Sequence, residues 1–135
     1  MADYSPIYIT STAFIRNFTT PPLDYTDVSE AELLARIEAI ETYCTTIYGT
    51  GDKVACSLLV LSKLISNPTL AKKYGMLNAE TIGRYSYRLG PTSASGKTSF
   101  DIAKSWEDIA YEILRQLAYK NSSHTLSQGI FITNS

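Results

Sequence analysis

The sequence predicts an all-α protein: a small helical bundle of three main helices plus short helices, with an extended C-terminal arm able to add a β-strand. Three observations carry this. Apolar residues recur at three- and four-residue steps through "SEAELLARIEAIETYCTTIYG", through "KVACSLLVLSKLISNP" and from Ser99 to Ala118. Capping and stop residues bracket these runs. Strand-like patterning is confined to "IGRYSYRLG" and the triplet Ile130, Phe131 and Ile132. A chain of 135 residues holds one core, so it divides into a helical domain over residues 1–120 and an arm over residues 121–135.

In chain order, "TSTAFIRNF" makes a short helix capped by Thr10 or Ser11, with Phe14, Ile15 and Phe18 on one side. Pro21 and Pro22 force a loop after it. Ser29 and Glu32 then form a capping box. From there Leu33, Leu34, Ile37, Ile40, Cys44, Ile47 and Tyr48 recur on one face until Gly49 ends the helix. Asp52 caps the next helix and Pro68 stops it; Val54 to Ile65 leave little polar face, so this helix is expected to be the most buried. The short connection makes the two helices antiparallel. "TLAKKYGMLNAET" carries at most a helical turn and a loop. In "IGRYSYRLG", Tyr85 and Tyr87 alternate with Arg84, Ser86 and Arg88, which suits a short extended segment. From Ser99, Ile102, Trp106, Ile109, Ile113 and Leu117 form a stripe, flanked by Ala103, Ala110, Leu114 and Ala118. After Lys120 the helical period breaks, and an extended tail of fifteen residues reaches on the order of 50 Å.

Composition narrows function less than fold. Twelve Lys and Arg against 13 Asp and Glu leave a net charge of −1, with no global attraction to nucleic acid or to an anionic membrane. No apolar run reaches the ~20 residues of a membrane span, and "MADYSPIYIT" lacks the layout of a signal peptide. The expectation is a protein acting inside a cell or a particle. Cys44 and Cys56 lie on apolar helical faces at similar distances from a short turn and read as buried free thiols of a reducing compartment. Ten tyrosines are an excess that suits half-buried contact surfaces.

Three patterns invite a catalytic reading. "RLGPTSASGKTSF" ends in Gly96-Lys97-Thr98 before a helix, as a phosphate-binding loop does. Five residues, however, separate Gly90 from Gly96 where the motif has four, and Pro91 has no amide hydrogen for a phosphate. Glu38 and Glu41 form an E-x-x-E pair, yet no second carboxylate pair completes a Mg²⁺ cluster, so both are expected on a solvated face. His124 stands in the polar tail without nearby cysteines, and Trp106 reads as a core anchor. No catalytic set, metal site or cofactor emerges.

The order of elements resembles the head-tail adaptor (connector) proteins of long-tailed bacteriophages. The parts that carry it are the opening helix "YITSTAFIRNF", the acidic-capped helix "VSEAELLARIEAIETYCTTIYG", the apolar helix after it, "IGRYSYRLG", and the final helix with its tail. The resemblance implies a structural, non-enzymatic virion protein at the head-tail junction, made in the host cytoplasm. It implies a homo-oligomeric ring, commonly of twelve copies, docked on a portal protein and linked to a stopper or tail-completion protein. The genome would pass through its channel. Carried onto this chain, Leu126, Ile130, Phe131 and Ile132 would form the portal-docking arm. Arg88, Ser95 and Lys97 would belong to a channel or intersubunit loop, with Lys97 near DNA phosphates. Two other readings compete: a P-loop-like nucleotide-binding enzyme and a cytoplasmic helical interaction module.

Overall fold

The computed structural model describes residues 4–78 and 99–134, with side chains placed over 4–78 and 101–120. Its helices are α1 (Thr12–Arg16), α2 (Glu30–Tyr48), α3 (Lys53–Ile65), α4 (Pro68–Tyr74) and α5 (Ser99–Asn134). Among the described residues no strand forms; one isolated antiparallel bridge joins Thr19 to Leu77. The all-α bundle expected from periodicity is therefore what the chain adopts.

The predicted caps hold. Ser11 Oγ accepts the Phe14 amide, Ser29 Oγ the Glu32 amide, and Asp52 the amides of Val54 and Ala55. Gly49 closes α2 in the left-handed region at φ 70°, its amide donating to the Thr45 carbonyl. Pro68 does more than stop α3. It occupies the first turn of α4, where its missing amide hydrogen costs nothing, and Asn67 caps that helix. The weak turn expected after Pro68 is thus a helix of seven residues.

Helix α3 is the axis of the fold. All of it except Lys53 and Lys63 is buried, because α2, α4 and α5 each pack against it. From α5, Ile102, Trp106, Ala110, Ile113 and Leu114 enter this core, and from α2 Leu33, Ile37 and Cys44. The stripe predicted for α2 needs one correction: Ile47 is 58 % exposed.

The tail differs from the expected extended arm. The backbone of α5 stays helical to Asn134, so residues 121–134 continue the helix rather than form a strand. Once a helix is nucleated and held by packing, each added residue gains one hydrogen bond for one ordered residue. The segment contains no proline and only Gly129 as a breaker, too little to stop propagation.

Candidate functional site

The polar chemistry of the described residues gathers where the N-terminal segment meets the bundle. Residues 4–9 run as an irregular strap along α2, fastened by Glu41. This carboxylate is 0 % exposed. Its Oε1 accepts the Tyr4 hydroxyl at 2.6 Å and the Ile7 amide at 2.7 Å, while Oε2 accepts the amides of Tyr8 at 2.6 Å and Ile9 at 2.7 Å. Four neutral donors thus replace the water that burial removes, the condition under which an anion is tolerated inside a protein. Burial first, and then the bond to Glu41, push the Tyr4 phenol far above its ordinary range. Further along, the Tyr8 hydroxyl pairs with Thr45 Oγ1 at 2.8 Å, and the Tyr8 ring lies on Gly51 so closely that an added Cβ would come within 2.5 Å of it. Gly51 is needed here for close approach.

Glu41 corrects the expectation of a solvated E-x-x-E pair. Glu38 is exposed, but Glu41 is an internal anchor whose two oxygens are fully engaged, so it is not free to act as a base or a metal ligand. A signal for this exists in the sequence. Glu41 falls within the buried stripe Leu33, Ile37 and Cys44 at helical spacing, so a carboxylate stands where an apolar residue is expected.

A second polar staple, unforeseen from sequence, is Arg16. Its buried guanidinium donates to the carbonyls of Leu23 at 3.3 Å and Val28 at 2.9 Å, and to Glu30 at 3.2 Å, with Tyr25 stacked 3.8 Å from it. It closes the proline loop onto the start of α2. A third group ties the same loop to α4. Asp27 accepts the Lys73 ammonium at 2.8 Å and the Tyr74 hydroxyl at 2.5 Å, and these two bonds hold its carboxyl below the usual carboxylate range.

Two open depressions flank α3. One, of about 440 Å³, is lined by Asp27, Glu32, Arg36, Lys63, Asn67 and Thr69 among others. The other, of about 340 Å³, lies between α3 and α5 at Lys63, Lys104 and Glu107. Their charges are largely spent on one another: Arg36 pairs with Glu32 at 3.5 Å, Lys63 with Glu107 at 3.3 Å and Lys104 with Asp108 at 3.4 Å. Among the described residues no group of three or more metal-ligating side chains converges, and no helix is long and apolar enough to cross a membrane.

The tyrosine excess divides between these staples and the surface. Tyr4, Tyr8 and Tyr74 serve the polar anchors. Tyr43 and Tyr48 meet edge to face at 6.3 Å on α2, and Tyr111 on α5 lies near them. Burial, followed by the nearby Glu107 carboxylate, pushes the Tyr111 phenol up to about 12. With exposed Ile47 this makes a partly apolar flank. Tyr119, 75 % exposed, stands farther along α5.

Of the residues predicted to form sites, Arg88, Ser95 and Lys97 lie outside the described residues, as do "IGRYSYRLG" and the Gly96-Lys97-Thr98 loop. Leu126, Ile130, Phe131 and Ile132 stand on the helical backbone of the last four turns of α5; their side chains lie outside those described. Cys44 and Cys56, expected buried and free, are both, with their sulfurs 3.6 Å apart.

The described residues therefore define a small all-α bundle with a polar-anchored N-terminal strap and a long terminal helix. The chain matches no known family model, no curated protein and no solved structure.

Proposed function

We propose that the protein is a structural component of a phage-like virion, assembling as a ring at the head-tail junction. In this reading it docks on a portal protein, connects it to a stopper or tail-completion protein, and lets the genome pass through the channel. The observation that carries it is α5. The last buried side chain described on this helix is Leu114, and the helical backbone runs on to Asn134, about 30 Å farther along its axis.

A terminal helix of 36 residues is suited to docking in a partner's groove. The docking element is therefore helical, carrying Leu126, Ile130, Phe131 and Ile132, and takes the place of the strand addition expected for an extended arm. Leu126 and Ile130, four residues apart, share one helical face. A ring of identical contacts, twelve copies by the resemblance, would use flanks such as Tyr43, Ile47 and Tyr111. Lys97 and its loop would face the channel or a neighbour, where contact with DNA is to phosphates and without sequence preference.

The test is co-sedimentation with the portal protein of the same particle, with electron microscopy for ring density beneath it. The full chain is expected to bind, while a chain ended at Asn121 keeps its helical circular dichroism and melting cooperativity but stays unbound. Equal binding by both would overturn the docking role of residues 122–134. No binding by the full chain would overturn the adaptor reading.

A further inference from the structure

We propose that Cys44 and Cys56 are the two halves of a reversible disulfide that staples α2 to α3, and that the N-terminal strap controls its formation. The inference does not rest on the assembly proposed above. Each cysteine stands six residues from Thr50, at the centre of the α2–α3 turn, so the antiparallel hairpin sets them at one level. Their sulfurs lie 3.6 Å apart, with the Cys56 thiol directed at Cys44. A disulfide bond is about 2.05 Å long. Closing that gap joins two side chains on helices that already pack together.

The pair is chemically asymmetric. Cys44 receives the hydrogen bond, which favours its thiolate, whereas Cys56 gives the bond and is buried, so its proton is held tightly. Cys44 is thus the first nucleophile. Its thiolate attacks a sulfur of a small-molecule disulfide such as oxidised glutathione, forming a mixed disulfide and expelling one glutathione thiolate. The Cys56 thiol then loses its proton to solvent and attacks the Cys44 sulfur, expelling the second glutathione. Two protein thiols become one disulfide, and the oxidant takes up both electrons and leaves as two thiols.

Access is what the strap controls. Both thiols are 0 % exposed, so no oxidant reaches them in the closed fold. Glu41, the strap's anchor, precedes Cys44 by one turn of α2, and its charge is felt at both cysteines. Tyr4 in turn lies within electrostatic reach of Cys56. From Tyr4 the strap passes to Tyr8 on Gly51, across the end of the hairpin that holds the pair. Release of the strap would open this side of the hairpin while α3 stays packed against α4 and α5.

The test is exposure of the full-length protein to oxidised glutathione under native conditions, followed by intact mass, peptide mapping without reductant, and thermal melting. The expected product is a monomer lighter by two hydrogens, with Cys44 joined to Cys56 and a melting midpoint raised on the order of 10 °C. Dithiothreitol should reverse both changes, and Cys44→Ser should show neither. Glu41→Gln should oxidise at least about tenfold faster, since it weakens the bonds that close the strap. Tyr4→Phe, which removes only one of them, should show the same direction more weakly if Glu41→Gln is poorly folded. Two thiols still free after oxidation, or only mixed disulfides and dimers, would overturn the staple. A linked pair whose formation rate ignores both strap variants would overturn the control by the strap.

Discussion

The α2–α3–α5 core and the N-terminal segment over residues 4–29 share one apolar cluster, but the N-terminal segment leans far more on polar anchors. In the core, α3 is enclosed by apolar side chains that need only match in volume and period. In the N-terminal segment, regular structure is limited to the five residues of α1; Ile9, Ile15, Phe18, Leu23 and Val28 join the same apolar core, and a few polar points, Glu41, Arg16 and Asp27, fix the path of the chain between them. Apolar burial is spread over many contacts and degrades gradually, whereas a polar anchor is concentrated. When one partner is lost the others remain buried without a mate. The first region makes the fold stable; the second decides where an otherwise irregular segment lies.

The largest effect is expected in the core. Leu58 is fully enclosed at the middle of α3, so Leu58→Ala removes its burial and leaves a cavity that helices on three sides cannot collapse into. A loss of about 3–4 kcal/mol is expected by chemical denaturation, with the urea midpoint lowered and the slope unchanged. Since a small domain has only ~5–15 kcal/mol in hand, the whole bundle should loosen together, and hydrogen exchange should quicken in every helix. Quickening confined to α3 would show that the core is not one cooperative unit.

Glu41→Gln probes the other region. The amide keeps one accepting oxygen but turns an NH₂ group toward one of the two donor pairs, either Tyr4 and Ile7 or Tyr8 and Ile9. About 2 kcal/mol is at stake, and the loss cannot exceed what strap docking itself contributes, because the strap can detach. Amide exchange should therefore rise at residues 7–9 while α3 stays protected. If α3 lost protection to the same degree, strap and core would be a single unit and the contrast would fail.

That contrast also explains what could be read in advance. Ile37, Leu58, Trp106 and Leu114 announce themselves through spacing, since a helix repeats its core face every three or four residues and local order fixes the pattern. The caps at Ser29 and Asp52 are equally local. The contacts of Glu41 join residues 32 to 37 apart in sequence, and those of Arg16 depend on a loop whose path no periodicity encodes. A charge within an apolar stripe was the one available clue to Glu41. For Arg16 there was none. The end of α5 failed for a different reason: polar composition after Lys120 suggested a break, but helix propagation from a packed segment does not need an apolar face. Of the candidate site, the positions Leu126 to Ile132 were legible only as apolar residues in a polar stretch. In the proposed docking role their contacts would lie on a partner, and a chain does not encode its partner's surface in its own periodicity.

The smallest effect sits between the two regions, at Asp27, which joins the proline loop to α4. Its carboxyl is held below the ordinary value of 3.8 by the Lys73 ammonium and the Tyr74 hydroxyl. A group whose value is lowered on folding stabilises the fold fully above the unfolded value. That contribution is lost as pH falls from 3.8 through the folded value, where the native state must also take up the proton. Asp27→Asn should therefore be less stable than the parent at pH 7, and the two should converge as pH falls below the folded value of the Asp27 carboxyl. Asp27 and Lys73 are partly exposed, so salt should reduce the difference at neutral pH. Melting curves of both proteins from pH 7 to 2.5 check this. A gap that persists unchanged to the lowest pH would mean that Asp27 acts through its shape and its bond to Tyr74 alone. The loop would then be tied to α4 by packing, as the core is, and not by charge.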